Sequence, residues 1–164
     1  MERPLRVTAV CTGNICRSPI AEVVLRAAVQ EAGLGDRVVV DSAGTGGWHV
    51  GDGADRRSVR VLAEHGYDGS RHRAQQVTRH WFGVDDEPDL LLALDSGHER
   101  ELRALAPHAE IRMLRAFDPA CAGLRGTELD VPDPYYGGAD DFEQVLDMIE
   151  AATPGVIAHL RTLL

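Results

Sequence analysis

Cys11-Thr-Gly-Asn-Ile-Cys-Arg-Ser18 stands between an apolar run, Leu5 to Val10, and an apolar-periodic segment that opens at Pro19. A thiol and a guanidinium with five residues between them can close a loop. In that loop the backbone N–H groups of Thr12, Gly13, Asn14, Ile15, Cys16, Arg17 and Ser18, with the Arg17 side chain, face one oxyanion while Cys11 lies behind it. Gly13 permits the tight backbone. Ser18 suits a helix N-cap and Pro19 a first helical position, so a bound phosphate would sit on a helix N-terminus. The partial positive charge there, together with Arg17, favours the thiolate and makes Cys11 a nucleophile. The spacing alone arises by chance roughly 0.3 times in such a chain. Its placement after a first strand and before a capped helix carries the argument.

Outward from this loop the pattern alternates strand and helix. Ile20, Val23, Val24 and Ala27 recur at helical spacing from Pro19 to Ala32, with Gly33 as the stop, and Val38 to Val40 reads as a second strand. Asp55 can cap a helix carrying Val59, Leu62 and Ala63 that ends at Gly66, and Thr78 can cap a short turn through Phe82. Leu90 to Leu94 is a buried-type strand, Ser96 opens a helix to about Leu105, and Ile111 to Leu114 makes a fourth strand. A long irregular stretch, Ala116 to Gly138, precedes a helix that starts at Asp140 with Phe142, Val145, Leu146 and Ile149 on one face. Pro154 restarts a terminal helix through Leu163. The fold class is therefore α/β, a single domain over residues 1–164 built on a four-stranded parallel sheet. Such sheets bind ligands at the carboxyl ends of their strands, where Cys11 lies.

Composition narrows the function. The net charge of −9 argues against nucleic acid as a partner. All seventeen basic residues are Arg, which excludes Lys-based Schiff-base or Walker chemistry. No apolar stretch approaches membrane-spanning length and the first residues lead straight into a strand, so no membrane insertion and a cytoplasmic location are expected, in keeping with three Cys that have no evident partners. The seven His form no His-x3-His pair and the Cys no Cys-x2-Cys pair, so no metal is assigned. Asp85-Asp86-Glu87 and Asp140-Asp141 read as solvated charges.

A thiolate that attacks phosphorus needs a proton donor for the leaving oxygen. Asp133-Pro-Tyr-Tyr-Gly-Gly138 in the long late loop offers one: Asp133 is the candidate general acid, Pro134 fixes the turn, and Tyr135 and Tyr136 supply flat walls at the pocket mouth. The same hexapeptide is also compatible with a plain surface turn.

Together, Val10-Cys-Thr-Gly-Asn-Ile-Cys-Arg-Ser-Pro19, Asp41-Ser-Ala-Gly-Thr45, Trp48 and Asp133-Pro-Tyr-Tyr136 resemble the low-molecular-weight protein tyrosine phosphatase family, bacterial type, over essentially the whole chain. The resemblance implies a flavodoxin-like sheet with helices on both faces, phosphotyrosine-containing proteins as partners, and no cofactor. It implies Cys11 as nucleophile, Arg17 as the clamp on the phosphoryl oxygens, Asp133 as acid and then base, and Ser18 as hydrogen-bond donor to the departing thiolate. It further implies that Asn14, Ser42 and His72 brace the loop, that Trp48, Tyr135 and Tyr136 rim the pocket, and that His49 tunes substrate preference. Cys16 would form a reversible disulfide with Cys11. Two other readings share the loop. An arsenate reductase needs further Cys downstream, and Trp81 to Leu92, where they would be expected, holds none. A non-catalytic phosphate-binding module needs neither Cys11 nor Asp133.

Overall fold

A computed structural model describes residues 3–164. Four strands, β1 (Leu5–Cys11), β2 (Val38–Gly44), β3 (Leu90–Ala93) and β4 (Ile111–Met113), form one sheet in the order β2-β1-β3-β4, all parallel. Four helices connect or follow them: α1 (Arg17–Glu31), α2 (Arg56–Glu64), α3 (Ser96–Leu105) and α4 (Ala139–Thr162). Because side chains alternate along a strand, Val7, Ala9 and Cys11 of β1 face one layer and Val10 the other. The first layer buries Ile20 and Val24 of α1 against Val145, Ile149 and Val156 of α4. The second packs Leu102 of α3 on Ala43, Leu91 and Ile111. Helices thus cover both faces, as the sequence implies.

Several boundaries differ from the expectation. Strand β2 runs on to Gly44, since its pairing with β1 continues to Cys11. The first helix begins at Arg17, with Cys16 at its cap and no side-chain cap bond. Ser18 is therefore not the cap, because its hydroxyl is turned to Cys11 and Asn14. Asp55 does cap α2, accepting from the Arg57 amide at 2.9 Å. Thr78 precedes a short 3-10 turn, Arg79–Trp81, without capping it by its side chain. Ser96 opens α3, but the capping side chain is Asp95. The irregular stretch before α4 carries 3-10 turns at Leu114–Phe117, Pro119–Cys121 and Gly126–Leu129.

The largest correction is α4, one continuous helix with Pro154 inside it rather than two. An interior Pro costs about 3 kcal/mol. Burial on both sides of it offsets that cost: Val145, Leu146, Ile149 and Ala152 before it and Val156 and Leu160 after it lie in the core. Gly155 adds a close approach, since a Cβ there would collide with the Phe117 carbonyl. The Thr153 hydroxyl donates to the Ile149 carbonyl at 2.7 Å within the same turn.

Candidate active site

The end of β1 turns into a loop in which five carbonyls, those of Cys11, Thr12, Asn14, Ile15 and Cys16, have partners outside it. Cys11 O accepts from Thr45 N, Thr12 O from Gly46 N and Ile15 O from Asp55 N, all at 2.8–2.9 Å, while Asn14 O accepts from His72 Nε2 at 2.7 Å and Cys16 O from Ser58 Oγ at 3.2 Å. Among the described residues, none of the amides of Gly13 to Cys16 meets a protein acceptor. A loop with its carbonyls turned out and its N–H groups free is an anion-binding concavity, and α1 starts from it. Gly44 allows this packing, for a Cβ there would lie 2.6 Å from the Thr12 carbonyl.

Cys11 lies at the floor, buried, with its Sγ 2.9 Å from Ser18 Oγ. Asn14 holds the bend at φ 58°, the one non-glycine residue with positive φ among those described. Its Nδ2 donates to Ser18 Oγ (2.8 Å) and Ser42 Oγ (2.9 Å), and its Oδ1 accepts from the Gln75 amide (2.9 Å). Ser42 passes its own proton to Glu22 Oε1 at 2.6 Å, and His72 Nδ1 lies 3.8 Å from that oxygen. The structure thus brings Asn14, Ser18, Ser42 and His72 together in one buried network behind the loop. Glu22, its acidic anchor, is a residue the sequence reading missed. Its signal was a carboxylate inside the apolar stretch Ile20 to Leu25.

Arg17 is 3% exposed, and Nη1 is the part of its fork held firmly by the protein. Nη1 donates to Asp95 Oδ2 (2.8 Å) and the Val131 carbonyl (2.9 Å). Nη2 faces Thr12 Oγ1 at 3.5 Å and Asp133 Oδ2 at 3.8 Å. Asp95 and His98 were also missed, although an acid at the carboxyl end of a strand of this sheet is where ligand-site residues gather. Asp95 Oδ1 accepts the His98 amide (3.0 Å) and His98 Nδ1 lies 3.2 Å from the Asp95 amide, a reciprocal helix cap. Burial pushes the His98 imidazole down to about 4 against the opposing pull of Asp95.

Cys11, Thr12, Gly13, Ile15, Cys16, Arg17, Trp48, His49, Asp133, Tyr135 and Tyr136 line one cavity of about 270 Å³. Every rim residue expected from the sequence is present in it. Trp48 is 76% and Tyr136 94% exposed, with Tyr135 edge-on to Tyr136 at 4.9 Å. The Trp48 ring packs on Gly46, and the His49 ring on Gly13, where a Cβ would lie 3.1 Å away. The Asp133 carboxylate is half exposed and accepts the Tyr135 amide at 3.1 Å. The segment that follows it is braced by Arg57, whose Nη1 donates to the Gly137 carbonyl (3.1 Å) while its Nε and Nη2 grip Asp55 at 3.0 Å each. That grip holds the Asp55 carboxyl below the usual carboxylate range. Burial, with the Asp55 charge adding to it, pushes the Cys16 thiol up to about 12.

A family model, low molecular weight phosphotyrosine protein phosphatase, matches residues 6–163. The chain belongs to this phosphatase family. It is 58% identical over 160 residues to the low molecular weight protein-tyrosine-phosphatase of Streptomyces coelicolor, covering 95% of this chain and 93% of that one. It is 52% identical over 158 residues to low molecular weight protein-tyrosine phosphatase A of Mycobacterium tuberculosis, covering 95% and 91%. Among solved structures, the protein tyrosine phosphatase of Entamoeba histolytica with Hepes in its active site superposes with a TM-score of 0.85 at 34% identity, covering 96% of this chain and 97% of that one.

The lowered His98 value has a measurable consequence. Between pH 6.5 and about 4 the unfolded chain takes a proton on His98 that the folded chain refuses, so this contribution to stability is present above 6.5 and is lost as pH falls. Urea unfolding at pH 7 and pH 4.5 should give a drop from this residue on the order of 2 kcal/mol. His98→Asn should be flatter across that window by the same amount. An identical pH dependence in the variant would contradict the assignment.

Proposed function

We propose that this chain is a protein tyrosine phosphatase acting through a cysteinyl-phosphate on Cys11. The observation that carries this reading is the stack of groups along one line of approach: Cys11 Sγ on the floor, free loop amides and Arg17 around it, and Asp133 at the mouth. In the first step the Cys11 thiolate attacks phosphorus in line, the bond to the phenolic oxygen breaks, and Asp133 protonates that oxygen. The ionised Asp133 then takes a proton from water as that water attacks phosphorus. The sulfur–phosphorus bond breaks and the departing thiolate accepts a hydrogen bond from Ser18 Oγ, which already lies 2.9 Å away. Loop amides and Arg17 carry the charge that develops on the phosphoryl oxygens, so the step draws on a preorganised site and needs no ion.

The rim sets the substrate class. Trp48, Tyr135 and Tyr136 line the cavity above Cys11 with aromatic faces, which suits an aryl phosphate better than a seryl phosphate. His49, bonded to Asp52 at 3.2 Å and lining the same cavity, is the position from which neighbouring substrate residues are read. Phosphotyrosine-containing proteins are the substrates this architecture suits. Three free cysteines favour a cytoplasmic, reducing setting, and no helix among the described residues is long and apolar enough to cross a membrane. Cys121 packs in the core layer on the other face of the sheet from Cys11, 3.3 Å from Arg115 Nη2, which weighs against a thiol relay of the arsenate-reductase kind.

With a chelator present, the wild type should hydrolyse a phosphotyrosine peptide and leave a phosphoserine peptide intact. Cys11→Ser should fall to background, and Asp133→Asn should fall by roughly 10²–10⁴ in kcat. Phosphate binding without turnover would sink the mechanism and leave an anion-binding module.

Cys16 supports a redox role in the same loop. Its high pKa keeps it a thiol, so it acts second: peroxide oxidises the Cys11 thiolate to a sulfenic acid, and the Cys16 sulfur then forms the disulfide with release of water. Wild type should regain activity on reduction after peroxide and Cys16→Ser should not. Equal recovery would contradict the role.

A further inference from the structure

A buried imidazole, His98 from α3, lies against Thr12, the second residue of the phosphate loop, and takes no part in the steps on phosphorus. His98 is 3% exposed, and its two ring nitrogens have distinct partners. The Asp95 amide points at Nδ1 from 3.2 Å, and Thr12 Oγ1 lies 2.9 Å from Nε2. An amide can only donate, so Nδ1 carries the lone pair. The nearest Asp95 carboxylate oxygen, also 3.2 Å from Nδ1, is not in hydrogen-bonding alignment with that nitrogen, whereas the Asp95 amide is. In the neutral ring the single proton therefore resides on Nε2 and is donated to Thr12 Oγ1.

That assignment fixes the direction of the Thr12 hydroxyl. Its oxygen accepts from His98 Nε2 and faces Arg17 Nη2 at 3.5 Å, so donors occupy the side turned toward the protein. The hydroxyl proton finds no protein acceptor among the described residues, and Thr12 lines the cavity over Cys11. We propose that His98 is a positioning residue that orients the Thr12 hydroxyl as a further hydrogen-bond donor to the phosphoryl oxygens, beside the loop amides and Arg17. The proposal rests on the phosphatase reading of the same cavity and deepens it.

The charged groups around the ring agree with a neutral imidazole. Arg17 from α1 opposes its protonation, Asp95 at the head of α3 and Asp130 and Asp133 from the late loop favour it, and burial outweighs all of them. The Asp95 carboxylate is shared, with Oδ2 on Arg17 and Oδ1 on the His98 amide. One acid thus sets the clamp and the helix end from which the imidazole reaches Thr12.

Two substitutions separate the cap from the loop contact. His98→Asn can still accept the Asp95 amide but is too short to reach Thr12, and His98→Gln can place an N–H where Nε2 lies. The first observation to make is the ¹⁵N spectrum of the imidazole in the intact chain at pH 7, which should place the proton on Nε2. A proton on Nδ1 would overturn the proposal, whatever the folding of any variant. With an aryl phosphate, His98→Asn and Thr12→Val should each lose roughly ten-fold or more in kcat with KM little changed, the size expected for one hydrogen bond to a charged group. The double variant should lose no more than either single one, and His98→Gln should recover most of the loss. Wild-type kcat in His98→Asn, or multiplicative losses in the double variant, would contradict it. Orthovanadate affinity, expected to weaken about ten-fold in both single variants, keeps the two readings apart. A wild type that binds vanadate but turns over no aryl phosphate defeats the phosphatase reading, whereas unchanged vanadate affinity in Thr12→Val defeats the donor role of Thr12.

Discussion

Asn14 is the pin on which the cradle depends. A non-glycine residue at φ 58° is disfavoured by roughly 1–2 kcal/mol, and here it is fully buried. Four hydrogen bonds hold it there: two from its amide nitrogen to Ser18 and Ser42, one from the Gln75 amide to its side-chain oxygen, and one from His72 to its carbonyl. Together they tie three parts of the fold to the loop: α1, β2 and the segment before β3. With Asn14 turned this way the following carbonyls face outward and the amides are left for an anion. The strand supplies the floor at Cys11 and the helix supplies the positive end.

The same economy governs charge. The chain carries −9 overall, yet its cavity is built to hold an anion, and the two are reconciled by where the acids sit. Glu22 and Asp95 do not face the cavity. They lie behind it, each fixing a donor: Glu22 accepts from Ser42, and Asp95 accepts from Arg17. A carboxylate behind a guanidinium fixes its geometry without occupying the face that meets the phosphoryl group. Asp133 is the exception, and its exposed position at the mouth is what a group needs if it is to exchange a proton with a leaving oxygen and then with water.

Much of this arrangement was legible because it is local. The Cys11 to Ser18 loop, the strand before it and the helix after it are contiguous, and the apolar alternation fixed which ends of the strands meet. The turn that carries Asp133 was marked by Pro134 and the two Tyr, although the same hexapeptide also suits a plain surface turn. The parts that were not legible depend on contacts between distant segments. Ser18 has the chemistry of a cap, but the thiol and Asn14 compete for its hydroxyl and win. Pro154 reads locally as a restart, and only the shared burial of residues on both sides keeps α4 whole. Glu22, Asp95 and His98 act across the sheet, on Ser42, Arg17 and Thr12 respectively, so no spacing within the chain announces them.

The central claim is that phosphorus is transferred to the sulfur of Cys11. It is tested most directly by rapid quenching of Asp133→Asn mixed with an aryl phosphate of good leaving group, followed by ³¹P NMR and mapping of the labelled peptide. Such a substrate needs little help from an acid, whereas hydrolysis of the intermediate lacks its base, so the phosphoenzyme should accumulate. The account predicts one phosphoryl group bonded to sulfur in the peptide that contains Cys11. A phosphoryl group on any other residue, or continued turnover with none trapped, would contradict it.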